Sequence, residues 1–394
     1  MRYFVPFCVA LGCLAACKPA SENVTGSDPA TLRVATFNIA MGREEAGQMG
    51  DALASGSDAG LAGVAEILQR VRPDIVLLNE FDYDPAIDAA ALFNDNYLAR
   101  PHDGQTPIRY PYHFRAPVNT GIDSGLDLDA DGETNGHGDA WGFGQFPGQY
   151  GMLVLSRYPV DTARSRTFQQ FRWSSMPGAR RPVNPDGSPF YSDATWERLR
   201  LSSKSHWDVV IETDGGDLHL LAHHPTPPVF DGPEDRNGLR NADEIRFWLD
   251  YTLPGSGGYI VDDAGRTGGI EAGAPFVMAG DFNADPLDGD SAAGAIGQLL
   301  EAPWINSECI PTSRGAVEAA RIQGGVNLTQ SGNPASDTAD FNDQYTGNLR
   351  LDYLLPSSGL EITGCGVFWP AADEPGHATG EVSDHHLVWL DIAR

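Results

Sequence analysis

Apolar residues in this chain come in short runs that stop abruptly at a polar side chain. Leu32 to Ala40 alternates apolar and polar positions and carries Asn38 near its tip. Ile75 to Phe81 is apolar until Asn79 and Glu80. Phe276 to Ala279 leads into Gly280-Asp281-Phe282-Asn283, closed by Pro286. Dense runs bounded by Gly, Pro, Asn or Asp predict strands, as do Tyr150 to Pro159, Leu349 to Pro356, Gly359 to Trp369 and Leu387 to Ile392. Trp207 to Glu212 and Leu218 to His223, joined by Asp214-Gly215-Gly216, predict a hairpin. Helical spacing is found in two places. Leu61, Val64, Leu68 and Val71 lie between a capping Asp58 and Pro73, and Leu239, Ala242, Ile245 and Leu249 share one face of Arg236 to Leu253. A short helix is expected over Ala292 to Leu300. Pro85 to Gln149 and Asp161 to Lys204 read as loop-rich insertions, Gly255 to Gly273 as a loop, and Asn306 to Asn348 has no assignable period. Strands and helices with polar groups at the strand ends imply an α/β fold. Because those polar ends extend from Asn38 to His385, one domain over residues 32–394 is expected.

Composition changes this picture in few respects. The chain has 394 residues, 41% apolar, with 17 Phe, 12 Tyr and 8 Trp, enough for a large core. Its net charge of −28 repels a polyanion at long range, which disfavours polymeric DNA as the first substrate, although divalent cations would invert the local sign. The N-terminus reads as a processing segment: Arg2, an apolar stretch from Tyr3 to Leu14, then Leu14-Ala15-Ala16-Cys17. That last tetrad resembles a bacterial lipobox. The resemblance implies a signal peptide over 1–16, lipidation of Cys17 and export to the cell envelope on a tether over 17–31. Lys18 beside the cysteine favours the outer membrane by the same resemblance. An ordinary secretory signal is the alternative. Cys309 and Cys365 remain as an even pair in an oxidising compartment, so a disulfide is expected.

Asp127, Asp129 and Asp131, with Gly132 to turn the chain, match the first half of an EF-hand-like loop and are candidate calcium ligands. The match is incomplete: the twelfth position is Gly138, and Asp139 comes one residue late. A solvated acidic turn is the alternative.

The polar strand ends form an ordered set. Thr36-Phe37-Asn38, Asn79-Glu80, Gly280-Asp281-Phe282-Asn283, Leu351-Asp352-Tyr353 and Ser383-Asp384-His385, with His223 between the second and third, resemble the endonuclease/exonuclease/phosphatase superfamily over essentially the whole mature chain. That resemblance implies a DNase I-like αββα sandwich and a Mg²⁺- or Mn²⁺-dependent phosphoesterase, expected as a monomer. It implies Glu80 as the principal metal ligand, supported by Asn38 and Asp384. Asp281 would orient or deprotonate water, Asn283 would hold a phosphoryl oxygen, His385 paired with Asp352 would contact the phosphate, and His223 would serve the leaving oxygen. The sequence departs from the pattern at His223-His224-Pro225-Thr226-Pro227-Pro228, which leaves open which histidine faces the site. The substrate is also open: a small or headgroup phosphoester at the envelope is favoured on charge, and a nuclease is the alternative. A non-catalytic calcium-binding surface module is the reading of another class.

Overall fold

The computed structural model describes residues 31–394; the expected signal peptide, Cys17 and all but the last residue of the tether lie outside the described residues. Thirteen strands are formed among them: β1 Thr31–Asn38, β2 Ile75–Asn79, β3 Tyr112–Phe114, β4 Met152–Ser156, β5 Val160–Thr167, β6 His206–Thr213, β7 Gly216–His223, β8 Phe276–Asp281, β9 Ala339–Asp340, β10 Asn348–Leu349, β11 Asp352–Pro356, β12 Ile362–Phe368 and β13 Leu387–Ala393. They assemble into a six-stranded sheet, ordered β12-β13-β1-β2-β4-β3, a five-stranded sheet, ordered β11-β8-β7-β6-β5, and the small β9–β10 ladder. In the two large sheets every pair is antiparallel except β1 with β2 and β7 with β8.

The two-residue period of each strand decides what it faces. In β1, Leu32 and Val34 point between the sheets, while Ala35 and Phe37 point outward. The space between the sheets is filled from one side by Val34, Ile75, Leu77, Val154, Val388 and Leu390 and from the other by Trp207, Val209, Leu220, Ala222, Val277 and Leu354. Outside the six-stranded sheet lie the helices Gln48–Ser55, Ala59–Val71 and Ala89–Phe93. Outside the five-stranded sheet, Ala242, Ile245 and Trp248 of the helix Arg236–Thr252 pack on Leu221, Met278 and Tyr353. The result is the expected αββα sandwich. Among the described residues no helix is long and apolar enough to cross a membrane.

Several expectations are met at the level of single residues. The Asp58 carboxylate caps Ala59–Val71 by accepting from Leu61 N at 2.9 Å, and Cys309 is bonded to Cys365. Others are corrected. Val160–Thr167, expected in a loop, is an edge strand whose Val160, Asp161, Arg166 and Thr167 pair with β6 around a register shift, an edge that needs no apolar period. Ala292 to Leu300 is helical only over Gly297–Leu300. Asn306 to Asn348 contains the helix Arg314–Gln323, capped by Ser313, whose Oγ accepts from Ala316 N.

Candidate active site

The inward-facing phase of the strands assembles the site. Asn38 continues the inward set of β1, Asn79 that of β2, Asp281 that of β8 after Val277 and Ala279, and Asp352 that of β11 with Leu354. Because β1, β2, β7 and β8 all run toward the same end of the sandwich and β11 and β13 start there, these polar groups meet where the apolar filling stops. Gly280 is required for the approach of β7 to β8: at its φ of 152° an added Cβ would lie 2.1 Å from the His223 carbonyl oxygen.

Two amides join the sheets. Asn79 accepts from Asp281 N at 3.2 Å through Oδ1 and donates to His223 O at 3.3 Å through Nδ2. Asn38 Nδ2 donates to Glu80 Oε1 and to Asp281 Oδ2, both at 3.1 Å. Asp281 Oδ2 also receives Asn283 Nδ2 at 3.4 Å and lies 3.4 Å from His224 Nε2 and 3.7 Å from His385 Nε2. His385 donates from Nδ1 to Asp352 Oδ2 at 2.8 Å, and that oxygen also accepts from Thr338 Oγ1 at 2.8 Å. Ser383 Oγ, donating to Asn38 O at 2.9 Å and accepting from His385 N at 3.1 Å, fixes the loop that delivers the histidine. Glu80 and Asn283 hold φ values of 59° and 50°, a left-handed geometry that costs non-glycine residues energy and persists where the surroundings enforce it.

The electrostatics follow from burial. Burial lowers the pKa of His385, but the adjacent Asp352 and Asp281 carboxylates outweigh it and raise the pKa to about 10, so the ring is an imidazolium. Burial also raises Asp281 and Glu80. Asp281, Asp352 and His385 place ligand atoms within 4.8 Å of one another, yet the imidazolium already compensates that group. Glu80 differs: it is a half-buried carboxylate whose one side-chain donor is Asn38. The pair Asn38 and Glu80, with Asp384 lining the same cavity, is therefore the oxygen-rich set that fits a hard divalent cation.

Of the two adjacent histidines, the structure brings His224 to this centre and not His223. Leu218, Leu220 and Ala222 face inward, so His223 shares the outward phase of Leu221. Its ring lies 4.2 Å from that of Phe282 and 5.2 Å from that of His206, with no hydrogen-bond partner on either nitrogen. The phase of β7 was legible in the sequence and points to His224. At the acidic loop, the ligand atoms that gather are those of Asp127, Asp129 and Asp139. Asp131 is exposed and accepts from Glu133 N at 2.8 Å instead, because the late Asp139 is buried and pinned by Leu128 N and Gly136 N.

A cavity of about 920 Å³ opens from the centre and is walled by the insertions through Phe143, Tyr191 and Leu199, by Pro228 and Phe230 after β7 and by Phe341, beside Glu80, His224, Asp281, Asn283 and His385. Lys204 lines it too. Ser202-Ser203-Lys204-Ser205 has no pattern in sequence that distinguishes it from a solvated loop.

A family model described as the endonuclease/exonuclease/phosphatase family matches residues 35–385. No curated protein matches the sequence. Among solved structures, an endonuclease/exonuclease/phosphatase from Beutenbergia cavernae DSM 12333 is similar with a TM-score of 0.50 and 18% identity, over 92% of this chain and 71% of that one. A family protein from Leptotrichia buccalis C-1013-b has a TM-score of 0.47 and 14% identity, over 92% and 99%. Sphingomyelinase C from Streptomyces griseocarneus has a TM-score of 0.45 and 16% identity, also over 92% and 99%. At 18% identity the likeness to the Beutenbergia cavernae structure is one of fold.

Proposed function

The chain belongs to the endonuclease/exonuclease/phosphatase family, hydrolases that act on phosphoester bonds, and from that premise we propose that it is a Mg²⁺-dependent phosphoesterase of small or headgroup-type esters. The observation that carries the reading is the convergence of His224, Asn38, Asn283 and His385 on the Asp281 carboxylate at the mouth of a walled cavity. A pocket of this size encloses a small ligand better than it accommodates a duplex, and the net charge of −28 acts in the same direction.

Asn38, Glu80 and Asp384 would hold the metal, which when bound supplies Lewis-acid stabilisation of charge on the phosphoryl oxygens. Asp281, its pKa raised toward neutrality, accepts the proton of the attacking water. The His385 imidazolium, oriented by Asp352, donates to a phosphoryl oxygen, and Asn283 offers a neutral donor where another carboxylate would repel the substrate. His224, kept neutral by burial, stabilises charge at the leaving oxygen, the place that the resemblance implied for His223.

The test is product release by a form beginning after Cys17, with Mg²⁺ and then EDTA, on bis-p-nitrophenyl phosphate, p-nitrophenyl phosphate, phospholipid headgroup esters and plasmid DNA. Metal-dependent turnover of the small esters with DNA intact is expected. DNA cleavage would overturn the substrate preference, and silence on all four the activity. We also propose, from Met1 to Cys17 alone, that the protein is exported and lipid-anchored in the cell envelope; labelled palmitate incorporated by the full chain and lost in Cys17→Ser is the expected result. Since β1 runs from Thr31 toward Asn38, such a tether would leave from the end of the sandwich opposite the cavity.

A further inference from the structure

Three basic side chains line the cavity, and two of them are committed. Arg236 Nη1 is paired with Glu234. Arg240 donates from Nε to Leu201 O at 2.7 Å and from Nη2 to Trp141 O at 2.6 Å and Arg200 O at 3.0 Å. Lys204 is only 6% exposed and has neither a side-chain hydrogen bond nor an ion pair within 4.0 Å among the described residues. Its backbone is nonetheless fixed: Lys204 O accepts from Asn119 N at 2.9 Å, and the preceding Ser203 N donates to Glu244 Oε1 at 2.8 Å. Lys204 thus lines the space shared with Glu80, His224 and Asp281 from an anchored backbone. A buried ammonium without a partner is costly, and an anionic ligand removes that cost.

We propose that Lys204 is a catalytic residue that binds a non-bridging oxygen of the substrate's phosphoryl group. The assignment rests on the phosphoesterase reading for its turnover and on the cavity alone for its anion binding. A compact point charge suits this position, since charge spreads over the non-bridging oxygens during phosphoryl transfer. The competing role is that of a counter-ion for Glu80, Asp281 and Glu244, whose charges oppose the lowering of its pKa by burial.

The experiment compares wild type, Lys204→Met and Lys204→Arg, each saturated with Mg²⁺, using inorganic phosphate as calorimetric probe, with Mg²⁺ affinity, melting temperature and kcat/KM on bis-p-nitrophenyl phosphate alongside. Lys204→Met should weaken phosphate binding about 10- to 100-fold, as expected for one charged hydrogen bond. Lys204→Arg should restore most of it, and Mg²⁺ affinity should stay equal or tighten because a like charge has gone. Unchanged phosphate affinity overturns the assignment. So does a joint fall of phosphate affinity, Mg²⁺ affinity and melting temperature, which is the counter-ion result. Should Lys204→Met not fold, Lys204→Gln keeps a donor without the charge and must show the same selective loss. A wild type that binds phosphate through Lys204 yet hydrolyses no ester would remove the proposed function and leave the anion site standing.

Discussion

Exchanging His223 for Phe and, separately, His224 for Asn tests the reading of β7 most directly. The His223 ring is enclosed by Phe282, His206 and Trp248 at centroid distances of 4.2, 5.2 and 5.9 Å, and burial holds its pKa well below 6.5. Neither nitrogen is paired. Phenylalanine thus removes unsatisfied polar atoms, worth about 1–3 kcal/mol, against an overpacking cost of about 1–3 kcal/mol for the slightly larger ring. The terms nearly cancel, so His223→Phe should alter stability by less than about 1.5 kcal/mol and leave kcat/KM within about twofold. His224 lies 3.4 Å from Asp281 on the cavity wall. Burial, with Lys204 and His385 nearby, holds the His224 pKa well below 6.5, so the neutral ring acts as a donor, and losing it costs about 10²- to 10³-fold, or about 2.7–4 kcal/mol of barrier. The assay is kcat/KM on bis-p-nitrophenyl phosphate, with thermal melts showing that both variants fold. A natively melting His223→Phe protein that has lost a hundredfold, beside an active His224→Asn protein, would refute the strand-phase argument.

Glu80→Gln should abolish Mg²⁺ binding in calorimetry and reduce turnover at least a hundredfold with an unchanged melt; retained Mg²⁺ affinity would move the metal elsewhere. His206, which donates from Nε2 to Glu244 O at 2.8 Å, has its pKa lowered to about 4 by burial, so between pH 6.5 and 4 the unfolded state binds the extra proton. Its contribution is therefore complete above pH 6.5 and about 3 kcal/mol is lost as pH falls to 4; urea titrations across that range should be less steep in pH for His206→Phe. Reducing Cys309–Cys365, which closes a 56-residue separation, should lower stability by about 4 kcal/mol if chain entropy dominates, read as a drop in urea midpoint for the double Cys→Ser variant. If the loop with Asp127, Asp129 and Asp139 takes Ca²⁺, calcium at a hundredfold its Kd should add about 2.7 kcal/mol, and Asp139→Asn should cancel the rise in melting temperature.

The sequence carried most of the sheet framework because a two-residue period and an abrupt polar stop are local signals. Asn38, Glu80, Asp281 and Asp352 were legible for that reason. The phase of Leu218, Leu220 and Ala222 decides between His223 and His224, two neighbours that the family pattern alone left open. Other features depend on contacts distant in sequence. Asp139 replaces Asp131 because it is buried against Leu128 N and Gly136 N, and Lys204 matters because Arg236 and Arg240 are engaged elsewhere. Val160–Thr167 is too polar to reveal a strand on its own; β6 supplies its partner.

The placement of β1 between β2 and β13 has a consequence for biosynthesis. Thr31 pairs with Ala393 and Thr36 with Val388, so β1, the first of the described strands to leave the ribosome, keeps one hydrogen-bonding edge open until β13 has been made. Asn38, at the tip of that strand, cannot be locked by the Ser383 loop any earlier. Pairing of such sequence-distant strands is slow and leaves edges open to other chains. A nascent chain of this architecture therefore reaches its catalytic arrangement only after β13 has emerged, and a holdase that shields the β1 edge should raise the yield of active protein more than one acting on the helices.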